Sequence, residues 1–92
     1  MLLYSGQLDL IVGAPLTERF LWQLEWAGAA DYHQATKIIW RDTDGSGNVS
    51  GYARRARNLW QVVVREAGHM VPTDQPSRAL DMLDRFISGR GF

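Results

Sequence analysis

The chain has 92 residues, and its ten basic side chains balance ten acidic ones, so no net charge favours binding to nucleic acid or to an anionic membrane. Hydrophobic residues make up 46% of the sequence, which indicates a globular chain, and the length allows one small domain or a piece of a larger one. Cysteine is absent, which excludes disulfides and thiolate metal sites, and no apolar run has the length of a transmembrane helix.

The chain opens with a predicted strand followed by a predicted helix. Residues 1–5, MLLYS, form an apolar run that ends at Gly6 and is typical of a buried strand. Met1 therefore opens directly into strand-like sequence and not into a signal peptide. Pro15 suits the first turn of a helix that extends to about Trp26. Its apolar residues recur on one face: Leu16, Phe20, Leu21 and Leu24.

The middle of the chain is less clear. The GAAD stretch at residues 28–31 is typical of a linker, and residues 36–41, TKIIWR, fit either a strand or a helix. The sequence is more regular after this region. Residues 59–65, LWQVVVR, are rich in β-branched and aromatic residues and predict a strand, which the loop 67-AGHMVP-72 follows.

The chain closes with a second predicted helix. Asp74 is a candidate N-cap, Pro76 lies in the first turn, and Gly89 follows the last turn. The helical spacing is kept by Ala79, Leu80, Leu83, Phe86 and Ile87. The element order of strand, helix, paired strands, strand and helix predicts an α/β fold.

The stretch 42-DTDGSGNVSGYA-53 resembles the calcium loop of an EF-hand. Asp42, Asp44 and Ser46 stand at the first three ligand positions, and Gly47 stands where that loop must turn. The twelfth position is Ala53 instead of the glutamate that binds the ion with both oxygens. Because DGSG is also ordinary hairpin chemistry, we favour a turn between paired strands over a calcium-binding interaction module, and we expect no metal site.

Two loops each place an ionisable residue just beyond a predicted strand. Asp9 lies in 5-SGQLDLI-11 and His69 lies in 67-AGHMVP-72. In open α/β sheets, catalytic groups gather at the carboxyl ends of the strands. A histidine held by an aspartate can act as a general base for a serine hydroxyl. Spacing alone makes this a weak signal, since single Asp and His residues in loops are more often a cap and a surface residue.

Three stretches in a fixed order make the signal specific: 3-LYSGQLDLI-11, then Trp26, then 51-GYARRARNLWQVVVREAGHMVPTDQPSRALDMLDRFISG-89. The strongest pieces are GQLD and GHMVPxDQPxxALDM. Together these stretches resemble the C-terminal part of serine carboxypeptidases, and the likeness spans nearly the whole chain. Within that family, the segments PLTERFL and RFISGRGF are most similar to the vitellogenic carboxypeptidase-like group.

The resemblance implies a role for three residues, position by position. Asp9 would be the acid of the catalytic triad and His69 its base, and Met70 would line the pocket for the substrate's C-terminal residue. Ser5 stands where close relatives commonly have asparagine, which puts in doubt a local hydrogen bond but neither triad role. The resemblance implies no metal or organic cofactor.

The resemblance also implies that the chain is incomplete as a domain. Residues 1–92 would form a single segment, the C-terminal portion of an α/β-hydrolase fold with its last strands and flanking helices. The enzyme would release single residues from peptide or protein C-termini, in an acidic compartment such as the lysosome or vacuole, or outside the cell. No G-x-S-x-G serine elbow exists in the sequence, so we expect the missing N-terminal portion of the same fold to supply the serine. A non-catalytic binding homologue remains an alternative.

Several other residues have simpler interpretations. Asn48-Val49-Ser50 is an N-glycosylation acceptor, and passage through the secretory route would favour a sugar on Asn48. His33 has no companion at metal-ligand spacing, which makes a zinc site improbable. The four tryptophans are expected mainly in the core: Trp22, Trp26, Trp40 and Trp60.

Overall fold

The computed structural model describes residues 1–9 and 13–92 of the chain. These residues form four strands and four helices, with the first strand followed by two helices, then three strands, then two helices. The elements are β1 (Leu2–Gly6), α1 (Ala14–Gln23), α2 (Ala29–Gln34), β2 (Ile38–Arg41), β3 (Val49–Ala56), β4 (Leu59–Val64), α3 (Val71–Asp74) and α4 (Pro76–Ser88). The predicted α/β class is confirmed.

The four strands form one mixed sheet in the order β1-β4-β3-β2. β3 pairs antiparallel with both β2 and β4, whereas β1 pairs parallel with β4 and lies at an edge of the sheet. The region between β2 and β3 is therefore a hairpin, which confirms strands on both sides of the calcium-like stretch. The parallel pair matters most for function, because β1 and β4 end on the same side of the sheet.

The core lies on both faces of the sheet in two clusters. The larger cluster packs α3 and α4 against the sheet through Trp40, Val62, Val64, Val71 and Met82. The smaller cluster packs α1 and α2 against the sheet around Leu21 and Tyr32. Alternate strand residues point to opposite faces, so the sheet can carry helices on both sides.

Two predictions about the region around α1 and α2 are wrong or incomplete. The stretch predicted as a linker at residues 28–31 is the start of α2, and α1 ends at Gln23, before Trp26. Helix α2 has only six residues, too few to be stable alone. It forms because Tyr32 is fully buried in the smaller cluster and its hydroxyl donates a hydrogen bond of 2.7 Å to Oε1 of Gln61.

The predicted cap of the last helix is also wrong. Gln75 occupies the N-cap position of α4 and makes no side-chain capping bond, and Asp74 instead ends the single turn of α3. The predicted end is confirmed, because Gly89 adopts the left-handed conformation, with φ of 72°, just after the last residue of α4. Among the tryptophans, Trp40 is a core residue, but Trp22 is half exposed and stacks on His33.

Much apolar side-chain surface on two helices faces solvent. On α1 only Leu21 of the predicted apolar face is buried, while Leu16, Phe20 and Leu24 are exposed. On α4 the exposed fraction of Leu80 is 70% and that of Ile87 is 73%. Within the part of the chain that the structure describes, no helix is long and apolar enough to cross a membrane. Within residues 1–9 and 13–92, no further layer covers these apolar faces.

Candidate active site

The two loops predicted to carry the site leave neighbouring strands on the same side of the sheet. Residues 7–9, the aspartate turn, follow β1, and residues 65–70, the histidine loop, follow β4. Their backbones are joined directly, because the N–H of Leu8 donates to the carbonyl oxygen of Ala67 at 2.9 Å. The parallel pairing of β1 with β4 thus brings together two segments that are 60 positions apart.

Gly6 makes this close approach possible. It is the last residue of β1, and its backbone lies against the carbonyl groups of Ala67 and Gly68. A side chain at this position would occupy the space of those two carbonyls. The glycine of the GQLD motif is therefore needed for contact between the two loops, and not for an unusual backbone angle.

The side chains of Asp9 and His69 meet across the two loops. Oδ2 of Asp9 lies 3.0 Å from Nδ1 of His69, which is hydrogen-bonding distance. The Asp9 side chain is only 5% exposed, whereas the His69 side chain is 50% exposed. A carboxylate at Nδ1 favours the tautomer with the proton on Nδ1, so Nε2 keeps a lone pair that can accept a proton.

Two side chains of the following turn hydrogen-bond to the backbone of the histidine loop. Oδ2 of Asp74 accepts the backbone N–H of Gly68 at 2.8 Å, and Nε2 of Gln75 donates to the carbonyl oxygen of Glu66 at 3.2 Å. Glu66 itself adopts a left-handed backbone with φ of 61°, which turns the chain out of β4. The position of the imidazole therefore depends on residues on both sides of it in the sequence.

Met70 follows the histidine directly and occupies the N-cap position of α3. Its carbonyl oxygen accepts the backbone N–H groups of Thr73 and Asp74 at 3.0 and 3.1 Å, so the backbone of this residue is fixed. Its side chain is 62% exposed. An apolar side chain that remains in solvent beside the imidazole is available to contact a bound molecule.

The calcium-like stretch uses its first carboxylate for a different contact. The Arg78 guanidinium on α4 donates from Nε and Nη2 to the two carboxylate oxygens of Asp42, each at 3.0 Å. Arg78 also donates to the carbonyl oxygen of Arg65, and the Ser50 hydroxyl donates to Asp42. These contacts tie the β2–β3 hairpin to α4 and to the start of the histidine loop. Among residues 1–9 and 13–92, no group of three or more metal-binding side chains has the arrangement for a metal ion.

Hydrogen bonds lower the pKa of two aspartates in the hairpin, Asp42 and Asp44. The hydrogen bonds from Arg78, and then the one from Ser50, hold the pKa of Asp42 below its ordinary value. The pKa of Asp44 is also lowered, by hydrogen bonds from the side chain and backbone of Ser46. Both carboxylates are therefore favoured in their charged form, Asp42 chiefly by Arg78 of α4 and Asp44 by Ser46 of the turn.

The glycosylation acceptor spans the end of the hairpin turn and the start of β3. Asn48 is exposed, and its carbonyl oxygen accepts the backbone N–H of Asp42 at 2.8 Å. The third residue of the triplet, Ser50, is 1% exposed because its hydroxyl is turned towards Asp42. Asn48, which would carry the sugar, is thus exposed, whereas Ser50 of the same triplet is buried.

Two residues around the site were missed by sequence reasoning. The sequence predicts no contact for Arg78 and predicts Asp74 as a cap of the last helix. Their real partners lie 36 and 6 positions away, and neither spacing belongs to a local helical pattern. A sequence signal existed only for Asp74, because the Pro72 that precedes it favours a tight turn back towards the histidine loop.

The whole chain has relatives among known proteins. It is 47% identical over 92 residues to a probable serine carboxypeptidase, CPVL, of Homo sapiens. It is 47% identical over 93 residues to a venom serine carboxypeptidase of Apis mellifera, and 43% identical over 86 residues to the vitellogenic carboxypeptidase of Aedes aegypti. The first two alignments cover 100% of this chain and 19% of each relative, and the third covers 94% and 18%. The chain thus spans about a fifth of the length of these relatives.

The fold also matches a solved structure. The crystal structure of a prohormone-processing carboxypeptidase of Saccharomyces cerevisiae superposes with a TM-score of 0.81 at 30% identity. The match covers 96% of this chain and 19% of that protein, so the chain corresponds to a portion of the α/β-hydrolase fold. The sequence model of the serine carboxypeptidase family matches residues 1–89. The chain belongs to the serine carboxypeptidase family.

Proposed function

We propose that this chain supplies the acid and the base of a serine carboxypeptidase, with Asp9 orienting His69 and the nucleophilic serine coming from polypeptide outside these residues. The observation that carries the proposal is the 3.0 Å contact between Oδ2 of Asp9 and Nδ1 of His69. The burial pattern supports the assigned roles, since the acid is shielded from water and the imidazole is accessible to a partner group. The reaction is the hydrolysis of the last peptide bond of a peptide or protein.

The catalytic groups are divided between this chain and the polypeptide outside these residues. His69 takes the proton of the serine as the hydroxyl attacks the carbonyl carbon, and then gives it to the leaving amine. Asp9 stabilises the imidazolium that forms between these steps. The oxyanion donors and the groups that recognise the substrate's free carboxylate also belong to the other part. The chain alone is therefore expected to be inactive.

Exposed apolar surface supports a covering portion of the same fold. β1 lies at the edge of the sheet although its pairing is parallel, and sheets with parallel strands are normally covered on both faces. Leu2 and Tyr4 of β1 and Leu80 and Leu83 of α4 line a shallow apolar depression next to this edge. We place the remaining strands and helices of the hydrolase fold against this edge, and neither a metal nor an organic cofactor takes part.

The test uses a polypeptide that joins this chain to a serine-bearing upstream region from the same gene. The release of the C-terminal residue from an N-blocked dipeptide is measured. His69→Ala and Asp9→Asn are each expected to lower kcat by about 10⁴-fold, because each removes the oriented base. His33→Ala, which changes the other histidine, is the matched control and keeps activity. Turnover that survives His69→Ala would contradict the triad assignment, and turnover by the 92-residue chain alone would contradict the shared site.

Met70 is proposed to contact the substrate's C-terminal side chain. Its position next to His69 and its exposure support this role. Met70→Ala should raise KM for substrates that end in a large apolar residue by about 10-fold and change KM less for those that end in a small one. Ile39→Ala, an exposed apolar residue at the opposite edge of the sheet, is the control. Equal effects of Met70→Ala on both substrates would contradict the assignment.

The parent enzyme is proposed to pass through the secretory route and to work outside the cell or in a lysosome or vacuole. An exposed acceptor at Asn48 on a hairpin supports this location. Neither nucleic acid nor a membrane is a proposed partner. Immunostaining of the tagged parent protein together with compartment markers tests the location, and a cytosolic distribution would contradict it.

A further inference from the structure

We propose that Asp74 is a positioning residue for His69: its carboxylate holds the histidine loop so that the imidazole stays on Asp9. This inference rests on the proposed function, because it concerns the same base. Asp74 makes no contact with His69 itself in the hydrogen bonds described, and it acts through the backbone of Gly68. The hydrogen bond from the N–H of Gly68 to the carboxylate of Asp74 is therefore the contact to be tested.

The imidazole has little packing of its own to fix its position. Half of the His69 side chain is exposed, and residues 65–70 belong to neither a strand nor a helix. Loop residues of this kind move readily unless hydrogen bonds hold their backbone. The orientation of His69 must then come from its contact with Asp9 and from the anchoring of its neighbours.

The neighbours on the N-terminal side of His69 are anchored from two directions. The carbonyl oxygen of Ala67 accepts from the aspartate turn, at Leu8. The N–H of the next residue, Gly68, points the other way and donates to Oδ2 of Asp74 at 2.8 Å. The peptide that joins residues 67 and 68 is thus fixed at its oxygen by the aspartate turn and at its nitrogen by Asp74 of α3. This peptide leads directly into Gly68, the residue immediately before His69.

Asp74 is suited to this role because its other possible tasks are absent or filled. It does not cap α4, since Gln75 occupies that N-cap position. Its backbone N–H already donates to Met70, which curls α3 back towards the histidine loop and presents the carboxylate to Gly68. The single turn of α3 thus places a hydrogen-bond acceptor, the Asp74 carboxylate, where it holds the backbone of the histidine loop.

The bond needs an acceptor and not a charge. Asparagine has a carbonyl oxygen at the same distance from the backbone as an aspartate carboxylate oxygen, so Asp74→Asn keeps the hydrogen bond from Gly68. Asp74→Ala removes it. These two variants separate a positioning role from an electrostatic effect of the Asp74 charge on the imidazole.

The experiment uses the same active polypeptide as the test of the proposed function. Proton NMR reads the strongly deshielded Nδ1–H of His69 that reports the bond to Asp9, and steady-state kinetics reads kcat and KM separately. Asp74→Ala should weaken or remove the Nδ1–H signal and lower kcat by about 10- to 100-fold with little change in KM. Asp74→Asn should restore both. Asp84→Ala, which changes another exposed aspartate that pairs with Arg90 beyond the end of α4, is the control and changes neither.

Three results would overturn the inference. Asp74→Ala could leave the signal and kcat unchanged, Asp74→Asn could lose both as Asp74→Ala does, or KM could change with kcat preserved. Circular dichroism checks the fold of each variant. If Asp74→Ala unfolds, Asp74→Ser replaces it, because its hydroxyl is too short to reach Gly68. Failure of the proposed function is a separate result, seen as turnover that survives His69→Ala.

Discussion

The carbonyl oxygen of Gly68 occupies the space into which any side chain on Gly6 would project. One of these glycines ends β1 and the other precedes the histidine. The contact between the two backbones sets the distance between the aspartate turn and the histidine loop. Because this contact is tight, the distance between Asp9 and His69 is sensitive to a single methyl group at Gly6.

We expect Gly6→Ala to separate the two loops. Because backbone carbonyls cannot move aside as flexible side chains do, the added methyl group should cost about 3 kcal/mol of unfolding free energy. Turnover by the active polypeptide should fall as well, since the Asp9–His69 contact is lengthened. Urea denaturation and the dipeptide assay measure the two effects.

Gly47→Ala is the control for this substitution. Gly47 has φ of 75° but open space around its Cβ position, so alanine there adds only backbone strain of about 1 kcal/mol, with no effect on turnover. If Gly6→Ala were as mild as Gly47→Ala in both measurements, close packing at the end of β1 would not determine the site.

Asp42 should make the stability of the protein depend on pH in the acidic range. Its pKa is lower in the folded chain than in the unfolded one, because of the hydrogen bonds from Arg78 and Ser50. The charged carboxylate therefore adds stability above its unfolded pKa of about 3.9, and this contribution is lost as the pH falls through the folded pKa. The contribution is complete above about pH 5.

Asp42→Asn should remove this contribution. We expect the variant to be less stable than the unsubstituted chain by about 2 kcal/mol at neutral pH, because Arg78 loses its charged partner. The difference should persist down to about pH 5 and shrink below about pH 4. Urea denaturation across this range is the measurement, and the exposed Asp84→Asn is the control. A difference in unfolding free energy that grows as the pH falls would contradict this prediction.

Calcium should not bind at the hairpin with the affinity of an EF-hand sensor. Both carboxylate oxygens of Asp42 accept hydrogen bonds from Arg78, and the position of the bidentate glutamate is held by Ala53. Calorimetric titration with calcium should therefore give no heat of binding at micromolar concentrations. Arg78→Ala, which removes the arginine partner of the Asp42 carboxylate, is titrated in the same way for comparison. Micromolar binding by the unsubstituted chain would restore the calcium hypothesis.

The acceptor at Asn48 predicts two separable effects. In a eukaryotic host, Asn48→Gln should abolish a glycosidase-sensitive mass increase and leave the stability of the deglycosylated protein unchanged, because its side chain is exposed. Ser50→Ala should abolish the same increase and also lower the unfolding free energy by about 1 kcal/mol, because Asp42 loses a buried hydrogen bond. Ser50→Thr keeps the acceptor triplet and is the control. An unsubstituted protein with no such mass increase would mean that the site is unused.

Sequence reasoning worked best where a local pattern was strong. The β-branched run after Asn58 predicted β4, and the spacing of Pro76 and Gly89 predicted the extent of α4 to within a residue or two. It failed at α2, where the short run from Ala29 to Gln34 is helical only because Tyr32 is buried. Local propensity cannot predict an element whose stability comes from tertiary packing.

The sequence by itself determined the α/β class, the family, and the two residues, Asp9 and His69, that the family motifs single out. The tertiary structure decided whether those residues could touch, because their contact depends on the parallel pairing of β1 with β4 and on a glycine at the end of β1. It also decided that Asp42 binds Arg78 and that Asp74 binds Gly68. Hydrogen-bond partners are set by distances in the folded chain, and spacing along the sequence reports those distances only within a helix or between paired strands.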